Sequence, residues 1–151
     1  MTLLADVRTV PRSRHTPQWN REAAAAALTA RGIRYHHLPR LGGFRKPRPD
    51  SPNTGWRNLS FRGYADHMAT ADFAAGLEEL MALAGAAPTA VACTEAVPWR
   101  CHRSLLADAL AVRGIEVRHL MSATVIRSHA LTPFARVEGD RITYPDPEGL
   151  L

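Results

Sequence analysis

The residues of this chain best equipped for chemistry lie in two short stretches. DVRTVPRSR (Asp6–Arg14) supplies Asp6, Arg8, Arg12, Ser13 and Arg14, and CTEAVPWRCHR (Cys93–Arg103) supplies Cys93, Glu95, Arg100, Cys101, His102 and Arg103. An arginine fork grips phosphate or carboxylate at two points. Glu95 or Asp6 could move a proton or hold a water, or each could be half of an ion pair. Cys101, expected at a helix start among Arg100, His102 and Arg103, has surroundings that lower a thiol pKa and make a nucleophile. The alternative is a small buried residue. Neighbours on a helix do not face each other, which favours Glu95 over a Cys101–His102 dyad.

Cys93, Cys101, His102 and His119 match no zinc spacing, since the chain has neither C-x-x-C nor H-E-x-x-H, so no metal is expected. A Cys93–Cys101 disulfide needs Cα atoms within about 7 Å. A reducing compartment argues against a permanent one.

The surrounding pattern sets out the scaffold. LLADV (Leu3–Val7) reads as a buried strand, Gln18–Gly32 as an alanine-rich helix and Ile33–Pro39 as a second strand. Phe61–Gly85 reads as two helical pieces broken near Thr70, with Phe73, Leu77, Leu80, Met81 and Leu83 on one apolar face. Thr89–Glu95 is a third strand, a helix runs from about Arg100 or Cys101 to Arg113, and Gly114–Ser122 is a fourth strand. The tail is a small hairpin turning at Glu138–Asp140.

This order predicts an α/β fold in one domain over residues 1–151. Its sheet would be mostly parallel, with helices on both faces in a Rossmann-like three-layer arrangement and a small C-terminal hairpin. Ligands of such sheets bind at the carboxyl ends of the strands. There the pattern sets Asp6 and Arg8 on strand one, Tyr35 and His37 opposite His36 on strand two, Cys93 and Glu95 on strand three, and His119 on strand four.

The 151 residues suit a single core, and no apolar run is long enough to span a bilayer, so no membrane is expected. Two cysteines are no disulfide framework, and a cytoplasmic setting is expected. The net charge of +5 favours anionic partners. Arg40 to Arg62 carries six basic residues and one acid, with Phe44, Trp56 and Phe61 interleaved. That loop could track a nucleic-acid backbone and stack bases. The reading the residues support best is an enzyme, a hydrolase or group transferase, acting on a small anionic or nucleotide-like substrate. The alternatives are a nucleic-acid-binding module using loop 40–62, and a thiol redox or metal-binding protein using Cys93 and Cys101. No cofactor is specified.

Taken together, DVRTVPRSR, GIRYHHLPRLGG (Gly32–Gly43), FRGYADHM (Phe61–Met68), CTEAVPWRCHR and, more loosely, VRHL (Val117–Leu120) resemble the DUF488 family of bacterial and archaeal proteins of unknown function. The resemblance implies site positions at Asp6, Arg8, Arg12, Ser13, Arg14, Tyr35, Gly42, Gly43, Tyr64, Cys93, Glu95, Cys101, His102 and Arg103. Family members usually carry a further strand and helix before the DVR stretch, where this chain begins at Met1. A missing strand would expose a sheet edge, for which a second copy of the chain is the expected partner.

Overall fold

The structure, a computed structural model, describes residues 2–9, 17–93 and 101–147. They form two compact units that interleave in sequence: residues 1–43 with 71–94, and residues 44–70 with 95–151.

Unit one is built on a three-stranded parallel sheet of β1 (Leu3–Asp6), β2 (Arg34–His37) and β3 (Thr89–Ala92), in the order β2-β1-β3. Asp6 is in register with His37 on one side and Ala92 on the other. All four residues of β1 are buried, as a central parallel strand requires. The link from β1 to β2 carries a 3₁₀ turn (Pro17–Trp19) and α1 (Arg21–Thr29). The link from β2 to β3 ends in α3 (Ala71–Ala86), whose Phe73, Gly76, Leu77 and Leu80 are buried. Met81 and Leu83 of the expected apolar face are half-buried.

Unit two contains α2 (Leu59–His67) and α4 (Arg103–Ala111), which pack on each other, and two antiparallel hairpins. Asn58 caps α2, its Oδ1 accepting from Ser60 N at 2.9 Å and Phe61 N at 3.2 Å. Gly63 is required on α2 because a Cβ there would stand 2.0 Å from the Arg45 carbonyl oxygen. The helical break near Thr70 falls where expected, between α2 and α3. The tail hairpin is also as expected: β6 (Arg136–Glu138) and β7 (Arg141–Thr143) around Gly139–Asp140.

One expectation fails. The predicted fourth parallel strand is β4 (Arg118–Leu120), which pairs antiparallel with β5 (Ile126–Ser128) in a separate hairpin. Its turn is held by Ser122 Oγ, which accepts from Thr124 N at 3.2 Å and Val125 N at 3.1 Å. Arg118 and Leu120 are exposed, whereas a strand inside a parallel sheet is covered on both faces.

Candidate functional site

The sheet of unit one delivers Asp6 to the carboxyl end of its central strand, and the backbone there is organised around that carboxylate. Oδ1 accepts from Arg8 N at 3.1 Å and from Arg8 Nε at 2.9 Å. Oδ2 accepts from Arg8 Nε at 3.0 Å, from Arg8 Nη2 at 2.6 Å and from the Tyr35 hydroxyl. Asp6 is 2% exposed and Arg8 7%. Arg8 Nη2 also donates to the Trp19 carbonyl, and His37 Nε2 donates to the Arg8 carbonyl at 2.6 Å. His36, on the opposite face of β2, pairs at the surface with Glu79 of α3. The two-residue alternation of β2 thus delivers Tyr35 and His37 to one cluster.

Electrostatics reinforce the clamp. Burial alone would raise the Asp6 pKa, but hydrogen bonds from Arg8 and Tyr35 outweigh it and hold the carboxyl below its usual range. The hydrogen bond to Asp6 raises the Arg8 pKa further. Burial, then the hydrogen bond to Asp6 and its charge, pushes Tyr35 up to about 12. With donors on both oxygens, Asp6 is a fixed anion that positions Arg8. Tyr35 also bears on the Arg8 guanidinium and raises its pKa further, so Asp6, Arg8 and Tyr35 form one cluster.

Gly42 and Gly43 serve the same strand exit. Thr9 Oγ1 donates to the Gly43 carbonyl at 2.6 Å, and a Cβ on Gly42 would lie 2.3 Å from Thr9 Oγ1 and 2.6 Å from Thr9 N. Cys93 follows β3 directly. Arg12, Ser13, Arg14, Glu95 and Arg100 lie outside the described residues.

In unit two, α4 begins at Arg103, so Cys101 and His102 precede the helix instead of occupying its first turn. The expected geometric objection to their meeting therefore lapses. Cys101 Sγ lies 3.6 Å from His102 Nδ1 and accepts from Arg103 N at 3.4 Å. The His102 ring stands 4.8 Å from that of Tyr64, which is fully buried and whose pKa burial raises. Cys101 is buried, and neither cysteine is a free thiol. A Cys101 thiolate is thus not the species present.

The basic loop is pinned rather than splayed. Asp66 accepts from Arg48 N at 2.8 Å, Ser51 Oγ at 2.6 Å and Asn53 Nδ2 at 2.7 Å. Arg48 pairs with Asp50, Arg40 with Asp72, and Arg62 Nε donates to the Trp56 carbonyl. Trp56 packs edge-on against Phe61 and Phe134 at centroid distances of 5.1 and 4.9 Å, so neither Trp56 nor Phe61 is arranged as an open stacking platform. Phe44 is 88% exposed.

The residues that sequence reasoning missed are Asp108 and His129. Asp108, fully buried on α4, accepts from His129 Nε2, Thr132 N, Thr132 Oγ1 and the Tyr144 hydroxyl. His119, expected at the parallel-sheet rim, instead meets His129 at 2.8 Å. A lone aspartate inside the apolar run LLADALAV was the available signal. Among the described residues, no group of three or more His, Cys, Asp or Glu is placed to hold a metal ion. No helix among them is long and apolar enough to cross a membrane.

A parallel sheet with a buried Asp–Arg–Tyr clamp at its central strand end defines the chain as a mixed α/β protein. The model of DUF488, a domain of unknown function, matches residues 1–110, and the chain belongs to that family. No curated protein and no solved structure matches it.

Proposed function

We propose that the chain is an enzyme, a hydrolase or group transferase, that binds a small phosphate- or nucleotide-like anion at the carboxyl end of β1. The observation that carries this reading is the position of the Asp6–Arg8–Tyr35 clamp. In the sheet order β2-β1-β3 the chain leaves β1 for β2 on one flank and then crosses back over β1 to β3 on the other, so the direction of winding reverses at β1. Ligands of open parallel sheets occupy the crevice at such a reversal. Right-handed crossovers would lay α1 and α3 on opposite faces, which supports the Rossmann-like three-layer reading. The interleaving of the two units in sequence supports reading residues 1–151 as one domain.

In this reading Arg8 grips the anion through its guanidinium, while Asp6 and Tyr35 position it. Arg12, Ser13 and Arg14 complete the anion site, and Glu95, just past β3 in sequence, handles the proton. The test is titration with inorganic phosphate and nucleoside monophosphates, followed by calorimetry. Arg8→Lys keeps the charge but loses the fork, so affinity should fall by about tenfold or more while the fold persists. Affinity unchanged in Arg8→Lys, or no phosphate binding at millimolar concentration, would overturn the reading. Steep salt dependence with DNA instead would point to a nucleic-acid binder.

A further inference from the structure

Residues 44–48, in unit two, form a ledge that the proposed anion site does not use. Phe44 is 88% exposed, the most open of the large apolar residues described. A lone exposed apolar side chain is ordinary on a protein surface. Its backbone is not: Phe44 has φ 58°, in the left-handed region that suits glycine and strains a bulky residue. Among the described residues it is the one non-glycine with positive φ. The ring gains no burial and its backbone costs strain, so folding does not account for a phenylalanine here.

The ledge is held firmly. The Arg45 carbonyl oxygen would stand 2.0 Å from a Cβ on Gly63, so the run lies tight on α2. Arg48 N donates to buried Asp66 at 2.8 Å. Between these points exposure alternates: Phe44, Lys46 and Arg48 are open, whereas Arg45 and Pro47 are half-buried. Ring and cations therefore share the outer side. Lys46 is in no ion pair among the described residues. Arg48 pairs with Asp50 at the surface, and such pairs are worth little.

We propose that Phe44 is a stacking platform for one unpaired nucleobase, whose adjoining phosphate is held by Lys46 and Arg48. Aromatic rings stack on any base, because every base has a π-face. Neighbouring outward positions of an extended run lie roughly 7 Å apart, a span comparable to that from a base across its sugar to its phosphate. A backbone pinned on α2 presents the ring without prior ordering, which favours binding. Free nucleotides and single strands offer this same chemistry, whereas a base inside a duplex is already stacked on both faces. The site lies within unit two and does not rest on the anion site of unit one.

Calorimetry with AMP and with ribose 5-phosphate isolates what the base contributes. AMP should bind the wild-type chain at least about fivefold more tightly, the lower end of what stacking on one ring supplies. Phe44→Gly should remove that preference and Phe44→Trp should keep it. A preference that is absent from the wild type, or that persists in Phe44→Gly, overturns the proposal. Glycine suits this backbone, so the Tm of Phe44→Gly should be no lower than that of the wild type. A drop of more than about 4 °C would make the ring a structural element and overturn the platform. The preference should survive Arg8→Lys, which the unit-one reading expects to weaken phosphate binding itself; its loss there would move the base to the other site and overturn this one. A single-stranded oligothymidylate that binds more tightly than AMP identifies the strand as the source, and parity identifies the free nucleotide. Two phosphate contacts on a single strand give a log–log salt slope of about −1.4, and a much steeper slope would mean backbone tracking without the platform, which also overturns it.

Discussion

Asp6→Asn is the sharpest perturbation of the unit-one clamp. The carboxylate receives three Arg8 nitrogens and one hydroxyl in almost complete burial. Asparagine is nearly isosteric but presents an NH₂ where one acceptor oxygen stood, against an arginine that stays charged. Removing one partner of a buried ion pair costs about 3–5 kcal/mol. The amide oxygen still accepts one contact, which places the expected loss near the lower limit, about 3 kcal/mol. Tyr35→Phe removes a single hydrogen bond to a charged group and should cost about 1.5 kcal/mol. Urea unfolding followed by circular dichroism gives both values, and hydrogen exchange at the β1 amides localises them. The pH dependence adds a second signature. Asp6 has a lowered folded pKa, so its stabilisation is complete above the unfolded carboxylate pKa and is lost as pH falls through the folded value. The gap between wild type and Asp6→Asn should therefore close in acid. A loss below about 1 kcal/mol at neutral pH, within reach of an ordinary surface substitution, would refute the clamp.

All three tyrosines are shifted upward: Tyr35 to about 12, and Tyr64 and Tyr144 further, by burial above all. Unfolded tyrosines ionise near pH 10, so stability should fall from about pH 10 upward, with phenolate absorbance rising only as the chain unfolds; a tyrosine ionising near 10 in folded protein would contradict this. Gly63→Ala forces a Cβ into the Arg45 carbonyl and should cost about 1–3 kcal/mol, whereas Gly85→Ala in α3 meets open space and should gain up to about 1 kcal/mol, both read as Tm shifts. Iodoacetamide should label neither cysteine until a reductant is added; prompt labelling would show a free thiol.

Local chemistry made β1, β2 and the break between α2 and α3 readable. Buried parallel strands are short apolar or β-rich runs, and helix propensity is set within a turn or two. The pairing of Asp6 with Arg8 was foreshadowed by their two-residue spacing, and that of Tyr35 by the alternation of β2. β4 was legible as a strand but not as a hairpin, because its partner β5 lies across a turn and pairing is not a local property. The Asp108 network was hidden for the same reason: its donors come from residues 21 to 36 positions away. Trp56 and Phe61 looked like a stacking surface because periodicity cannot tell which side of a loop meets a core that includes Phe134.

The bond between residue 144 and the loop at 53–55 has a wider consequence. Tyr144 N donates to Asn53 Oδ1, and Gly55 N donates to the Tyr144 carbonyl. The family match stops at residue 110, inside α4, yet Tyr144 and, among the described residues, every side-chain donor to Asp108 lie beyond it. A fragment cut at that boundary would strip Asp108 of those donors and leave the loop without its two bonds to Tyr144. The shared portion of the family is therefore completed, in this chain, by a clasp that its own last forty residues must supply.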